Sequence, residues 1–250
     1  MRKCLVCIAA VLLVEGCRLA EQPPQLQDAV QMQEDPARPI RICLVQDLSG
    51  SIEQTGIRRM NREALEALVA LVQSRSGELA FGLIRETSNR PLERLRIDEL
   101  PPAAPKMPPE PKNLLMRRSW QEQVEALQQQ YEATRKAYEE RIAPRVEAFL
   151  QRAVAMLQGA TAKRTDVCGA IRRCDVFLAE MYPEKADAFM MLITDGLHSV
   201  RSSRCPDQLS SKAQVVLVTG GDSAGVVERY GPLRFEAVEA AVEFLRRHKP

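Results

Sequence analysis

The stretch "IRICLVQDLSGSIEQTG" occupies residues 40–56. An apolar run, Ile42, Cys43, Leu44 and Val45, stops at Asp47, and the chain then reads Asp47-x-Ser49-x-Ser51. A continuous apolar run of this length, bounded by turn residues, is the pattern of a strand buried on both faces. One carboxylate and two hydroxyls at alternate positions just beyond it are oxygen donors, the ligands that hard divalent cations take. The same serines also suit the cap of a following helix.

Reading outward, "IRRMNREALEALVALVQ" places Ile57, Met60, Ala64, Leu65, Leu68, Leu71 and Val72 at helical spacing. "ELAFGLIRE" (78–86) is a second buried strand, "TSNR" a turn, and "PLERLRI" (91–97) a short third strand running back. Pro91 and the charges beside it suit a sheet edge. Six prolines between residues 101 and 111 then exclude a helix and favour extended, polyproline-like chain. From Ser119 to Gln158 apolar residues recur three and four apart, from Trp120 and Val124 to Phe149 and Ala153, with Pro144 expected to kink or split the helix. That segment reads as an amphipathic insertion packing on the domain or on itself, or as a coiled-coil contact with a partner.

Residues from Asp166 form a helix with Val167, Ala170, Ile171, Cys174, Phe177, Leu178 and Met181 on one face. "ADAFMMLITDG" is a strand ending at Asp195, "QVVLVTGG" another, and "FEAVEAAVEFLRRH" a closing helix with Phe235, Val238, Val242 and Leu245 inward. Strands alternating with helices predict an α/β fold, a doubly wound, mainly parallel sheet with one antiparallel edge strand and a helical insertion. Such sheets place sites at the carboxyl ends of strands. Asp47 and Asp195 both stand at such ends, and Thr165 lies just before a helix in "KRTDVCGA".

Here the sequence resembles the von Willebrand factor type A family with a metal-ion-dependent adhesion site. That family carries Asp-x-Ser-x-Ser after its first strand, a Thr in a later loop and an Asp after a central strand; Asp47, Ser49, Ser51, Thr165 and Asp195 fill those positions. The resemblance covers roughly residues 40–97 and 160–248, within a domain read as 39–97 and 159–250, and departs at 98–158, where the family usually has a much shorter connection. It implies that Ser49 and Ser51 bind a divalent cation directly, Thr165 directly or through water, and that Asp47 and Asp195 hold bound waters or ligate weakly. The cation expected is Mg2+, with Mn2+ or Ca2+ as alternatives. A free coordination position would take an Asp or Glu of a protein partner, which makes the chain a binding module. The bland alternatives are that Ser49, Ser51 and Thr165 cap helices and that Asp195-Gly196 is a turn. His198 either flanks the site or is a solvated loop residue.

Composition limits the other classes. The chain has 250 residues, 45 % of them hydrophobic, enough for a real core. A net charge of +2 and only 4 % aromatics argue against nucleic acid as the main partner. Neither a Walker-type glycine loop nor a Gly-x-Ser-x-Gly elbow occurs, and His198 and His248 are the two histidines, so catalysis is not expected. The alternative to metal-dependent binding is a scaffold that binds through the 98–158 insertion and keeps a structural metal site, with a Mg2+-dependent hydrolase as the third and least expected reading.

The first residues read as a targeting segment. Arg2 and Lys3 precede an apolar stretch, Cys4 to Val14, with the size of a signal-peptide core. It runs into "VEGC", so residues 1–17 resemble a bacterial lipoprotein leader with Cys17 as the acylated residue, although Glu15 departs from that pattern. An uncleaved anchor or a mis-assigned start are the alternatives. Residues 18–38, rich in Gln, Pro and charge, read as a flexible tether. The expectation is an exported protein held to a membrane by its lipid, where disulfides persist. Of the four later cysteines, Cys43 and Cys174 read as buried small hydrophobes. Cys168 and Cys205 read as surface residues able to pair. No zinc-type CxxC pair follows the leader.

Overall fold

The computed structural model describes residues 38–248 apart from residue 89, residues 181–185 and residues 222–224. The leader (1–17) with Cys17, the tether up to residue 37 and Met181 lie outside the described residues.

The opening run forms β1 (Ile40–Asp47), every residue of it buried. It is flanked by two parallel strands, β2 (Gly77–Ile84) and β4 (Asp187–Ile193), which explains why it lacks an exposed polar face. β3 (Glu93–Ile97) pairs antiparallel with β2 at one edge. β5 (Gln214–Val218) and β6 (Leu233–Phe235) continue the other side in parallel. The sheet order is β3-β2-β1-β4-β5-β6, the doubly wound, mainly parallel arrangement with one antiparallel edge strand expected from the sequence. Chain order reverses between β1 and β4, so the crevice at their carboxyl ends is the topological switch point.

The period-two alternation of the strands sorts side chains to two faces. Ile40, Ile42 and Leu44 of β1, with Phe189 and Met191 of β4, meet α2 (Arg62–Arg75), the second half of α3 (Arg117–Leu157) and α5 (Val238–Arg247). Asn61 caps α2 by accepting from the Ala64 N–H at 2.8 Å. Cys43 and Val45, with Met190 and Leu192, face the other way, onto α4 (Val167–Ala179). A short α1 (Gly50–Gln54) follows β1 directly.

Several details differ from the sequence reading. Phe235 belongs to β6 and α5 starts only at Val238; Phe235 packs against Phe244 with ring centroids 5.4 Å apart and planes tilted by 42°, instead of leading the helix. Cys43 and Cys174 are buried as expected but are bonded to each other, with Cα atoms 5.5 Å apart, and so are not free small hydrophobes. Cys168 and Cys205 are also bonded, and Cys168 is buried on α4, not at the surface.

α3 runs as one 41-residue helix through Pro144 without being split. Only its second half enters the core, through Tyr138, Ile142, Phe149, Leu150, Ala153 and Leu157. The proline-rich segment before it lies antiparallel against the first half. The Tyr138 hydroxyl donates to the Glu99 carbonyl at 3.5 Å, Trp120 Nε1 donates to the Pro108 carbonyl at 2.9 Å, and Arg117 pairs with Glu110 at 3.2 Å. Pro102, Pro105, Pro108 and Pro111 are half-buried while the residues between them are exposed. That spacing of three is the repeat of a polyproline helix.

Candidate functional site at the carboxyl ends of β1 and β4

Three loops converge at the switch point, and hydrogen bonds tie each to the next. The loop before α4 joins the end of β1 through a Ser49–Ala162 bridge, with the Ala162 N–H donating to the Leu48 carbonyl at 3.0 Å. It joins the loop after β4 through Ser199, whose N–H donates to the Thr165 carbonyl at 3.0 Å. The Ser199 hydroxyl accepts from the Thr165 N–H at 2.8 Å. Asp47, Ser49, Thr165 and Asp195 are buried and Ser51 half-buried.

Asp47 terminates β1. Its Oδ1 accepts from the Ser49 N–H at 2.7 Å and its Oδ2 from the Thr194 hydroxyl at 2.8 Å. Burial pushes the Asp47 carboxyl above its usual range; the bonds from Ser49 and Thr194 oppose this, and the neighbouring Asp195 carboxylate adds to it. Two carboxylates therefore share a poorly hydrated crevice, a charge state that a bound cation relieves.

The cap readings of the hydroxyls do not describe what the side chains do. Ser49 is the residue before α1, yet its side chain makes no capping bond; its Oγ lies 3.0 Å from Ser51 Oγ. The two hydroxyls thus sit together, as alternate positions on one loop allow. The cap of α4 is Asp166, whose Oδ1 accepts from the Gly169 N–H at 2.9 Å. A Cβ at Gly169 would lie 2.1 Å from Asp166 Oδ2, so this cap requires a glycine there. Asp166 also accepts from Ser88, fixing the loop behind Thr165.

Asp195 follows the strand end. Its Oδ1 accepts from the Leu197 N–H at 2.9 Å around a turn in which Gly196 has φ +73°, so the turn reading of Asp195-Gly196 holds for this oxygen. Its Oδ2 is buried with no hydrogen-bond partner. A buried carboxylate oxygen without a donor is costly, and it is the observation that the turn does not explain. A hard cation with an oxygen ligand set would satisfy it, and the residues present, two carboxylates and three hydroxyls, fit such an ion. Among the described residues no three His, Cys, Asp or Glu side chains cluster as a metal set. His198 directs Nε2 to the Ser203 carbonyl at 2.9 Å.

Sequence reasoning missed Thr194 and Ser199. Thr194 orients Asp47 while accepting from the Gly196 N–H at 3.0 Å, so one hydroxyl couples both acidic loops. Its signal was its place between β4 and Asp195, opposite the end of β1. Ser199 carried none, because its role arises only from loop proximity.

No protein-family model and no curated protein matches the sequence. Among solved structures, the chain is similar to the pilus adhesin SpaC from Lactobacillus rhamnosus GG in its open conformation, with 12 % identity and a TM-score of 0.36, over 66 % of this chain and 16 % of that one. The chain thus spans about a sixth of that adhesin's length. It is also similar to the conserved hypothetical protein BatB from Bacteroides thetaiotaomicron (12 % identity, TM-score 0.38, 83 % of this chain and 96 % of that one). A third is proximal thread matrix protein 1 from the mussel byssus, in a form whose metal-ion-dependent adhesion motif is occupied by zinc (11 % identity, TM-score 0.37, 86 % and 48 %). Likenesses this distant carry no function to the present chain.

Proposed function

We propose that the chain is an exported protein-binding module in which a divalent cation at the β1–β4 crevice takes an acidic side chain from a partner. Ser49, Ser51 and Thr165 would hold the ion, with Asp47 and Asp195 acting through water or as weak ligands. The bound ion would supply an electrophilic positive charge to the partner's carboxylate. The observation that carries this reading is the buried, unpartnered Asp195 Oδ2 in the same crevice as the raised Asp47 carboxyl. Mg2+ suits the set best, because it keeps waters and needs few direct carboxylates; Mn2+ and Ca2+ are the alternatives.

The reading is of binding and not catalysis, since both carboxylates serve the donor set and His198 is engaged with a backbone carbonyl. Export fits the bonded Cys43–Cys174 and Cys168–Cys205 pairs, which persist in oxidising compartments. The leader, acylation at Cys17 and membrane tethering belong to the same proposal.

Calorimetric titration with Mg2+, Mn2+ and Ca2+ against the wild type and Asp195→Ala tests it. The wild type binds at least one ion, and saturation at 100 times Kd raises unfolding free energy by about 2.7 kcal/mol. Asp195→Ala loses both effects. Partner retention on the immobilised chain should then need the ion and the intact site. An ion-free wild type that retains the same partner as the ion-loaded one would refute the reading and move binding to the insertion.

A further inference from the structure

The polyproline segment and the first half of α3 form a stalk with a defined end. Residues 99–110, extended at about 3.1 Å per residue, span roughly 34 Å. Residues 117–138, at about 1.5 Å per residue of helix, span roughly 32 Å. The two lengths match, and the bonds at Glu99, Pro108 and Glu110 hold the arms in register along that whole distance. α3 meets the core only from Tyr138 onward. The turn joining the arms, at residues 113–116, therefore stands about 30 Å from the helix's first core contact.

That turn carries the two most exposed large apolar side chains among the described residues, Leu115 and Leu114, with Met116 beside them. Leu114 is 71 % exposed, Leu115 90 % and Met116 56 %. They occupy a convex 3-10 turn, Leu114–Met116, whose start Asn113 fixes by accepting from the Leu115 N–H at 3.0 Å. Around them stand Lys112, Arg117 and Arg118 against two acids, Glu110 and Glu122. Glu110 pairs with Arg117 and Glu122 with Arg118, each at 3.2 Å; both pairs are solvent-exposed and therefore weak, so the tip keeps a positive excess led by Lys112. Nothing in the fold needs three apolar side chains so far from the core.

We propose that this tip inserts into the interface of an anionic lipid bilayer. A convex apolar point with a basic collar is what such a surface accepts: apolar side chains enter the headgroup–acyl boundary while Lys and Arg stay at the anionic headgroups. A protein partner would have to supply a concave apolar pocket with acidic walls. The inference is independent of the metal site and of any lipid at Cys17.

The chain carries one tryptophan, Trp120, one helical turn from Met116, and it reports on the tip alone. The full chain is mixed with vesicles of brominated phosphatidylcholine and phosphatidylglycerol at low salt, and Trp120 quenching is measured. The wild type is quenched, and vesicles of brominated phosphatidylcholine alone, without phosphatidylglycerol, quench it much less. Leu114→Ser/Leu115→Ser weakens the response by about tenfold or more, and Leu115→Ala by a smaller factor. Lys112→Gln/Arg118→Gln weakens it several-fold and flattens its salt dependence. All these chains share the same N-terminus, so an N-terminal anchor cancels from the comparison. Unquenched wild type, or equal quenching in the double leucine variant, overturns the proposal. So does a wild-type dimer, seen by sedimentation without any vesicle response, that the leucine variant abolishes; the tip's occupant is then a second copy.

Discussion

The two faces of the sheet are covered very differently. On one, α2, α5 and the second half of α3 lay three helices over Ile40, Ile42, Leu44 and their neighbours. On the other, α4 is the only α-helix of the apolar cluster among the described residues, and the rest of the described cover is loop and 3-10 turn, including the buried Ala213 and Val227. Both disulfides and a four-bond carboxylate clip lie on the thin face. Cys43–Cys174 ties β1 to α4, and Cys168–Cys205 ties α4 to the loop that follows the site. Asp175 of α4 accepts four hydrogen bonds, at 2.7–3.0 Å, from the N–H and hydroxyl groups of Ser210 and Ser211. Arg41 of β1, buried over the Phe177 ring, donates to the Leu178 and Glu180 carbonyls at the end of α4. Where apolar burial is spread over one helix, cross-links and a buried polar clip supply what further helices supply opposite.

The contrast breaks first at the disulfides. Closing the 131-residue interval between Cys43 and Cys174 should make its removal cost about 2–5 kcal/mol. Thermal or urea unfolding of Cys43→Ala/Cys174→Ala measures this, with Cys168 and Cys205 left intact. An unchanged midpoint would mean that α4 needs no staple and that the two faces are equally secure.

A smaller effect is expected at Asp175. Burial alone would raise its carboxyl; the bonds from Ser210 and Ser211 outweigh that and hold it below the usual range. A depressed folded value means the stabilisation is complete above the unfolded-state value near ~3.9 and is lost as pH falls through the lower, folded one. Asp175→Asn should cost about 1–3 kcal/mol at neutral pH. It should also flatten the acid limb of the stability profile, and a variant whose acid limb is identical to wild type would dismiss the clip.

The smallest effect belongs to the stalk tip. Leu114→Ser/Leu115→Ser should leave unfolding within about 0.5 kcal/mol of wild type, because these side chains bury nothing in the core. A larger loss would show that the tip contributes to the fold, unlike anything else at that distance.

The sequence made the thick face the more legible of the two. Long periodic segments such as Arg62–Arg75 announce a helix by apolar spacing alone, and the all-buried run of β1 announces a central parallel strand. The thin face depends on contacts between distant segments. Cys43 reads as one apolar residue in a strand and Cys174 as one on a helix; only the β1–α4 packing makes them partners. β6 escaped because three residues behind Gly231-Pro232 carry no period and merge into the helix pattern that follows. At the site, the oxygen-bearing positions were readable because each stands at an element end. Thr194 and Asp166, which orient and cap, were not distinguished from their neighbours until the hydrogen bonds assigned them separate tasks.

α3 is unbroken from the tip to Leu157, and the short loop 158–164 leads directly from its end to Thr165. The helix is thus a lever arm with its load point at residues 114–116 and its fulcrum in the core from Tyr138 onward. Tension on the tip reaches the loop that pairs with Ser49 without crossing a flexible joint. The weakest link of that arm is Pro144, which cannot donate a backbone hydrogen bond.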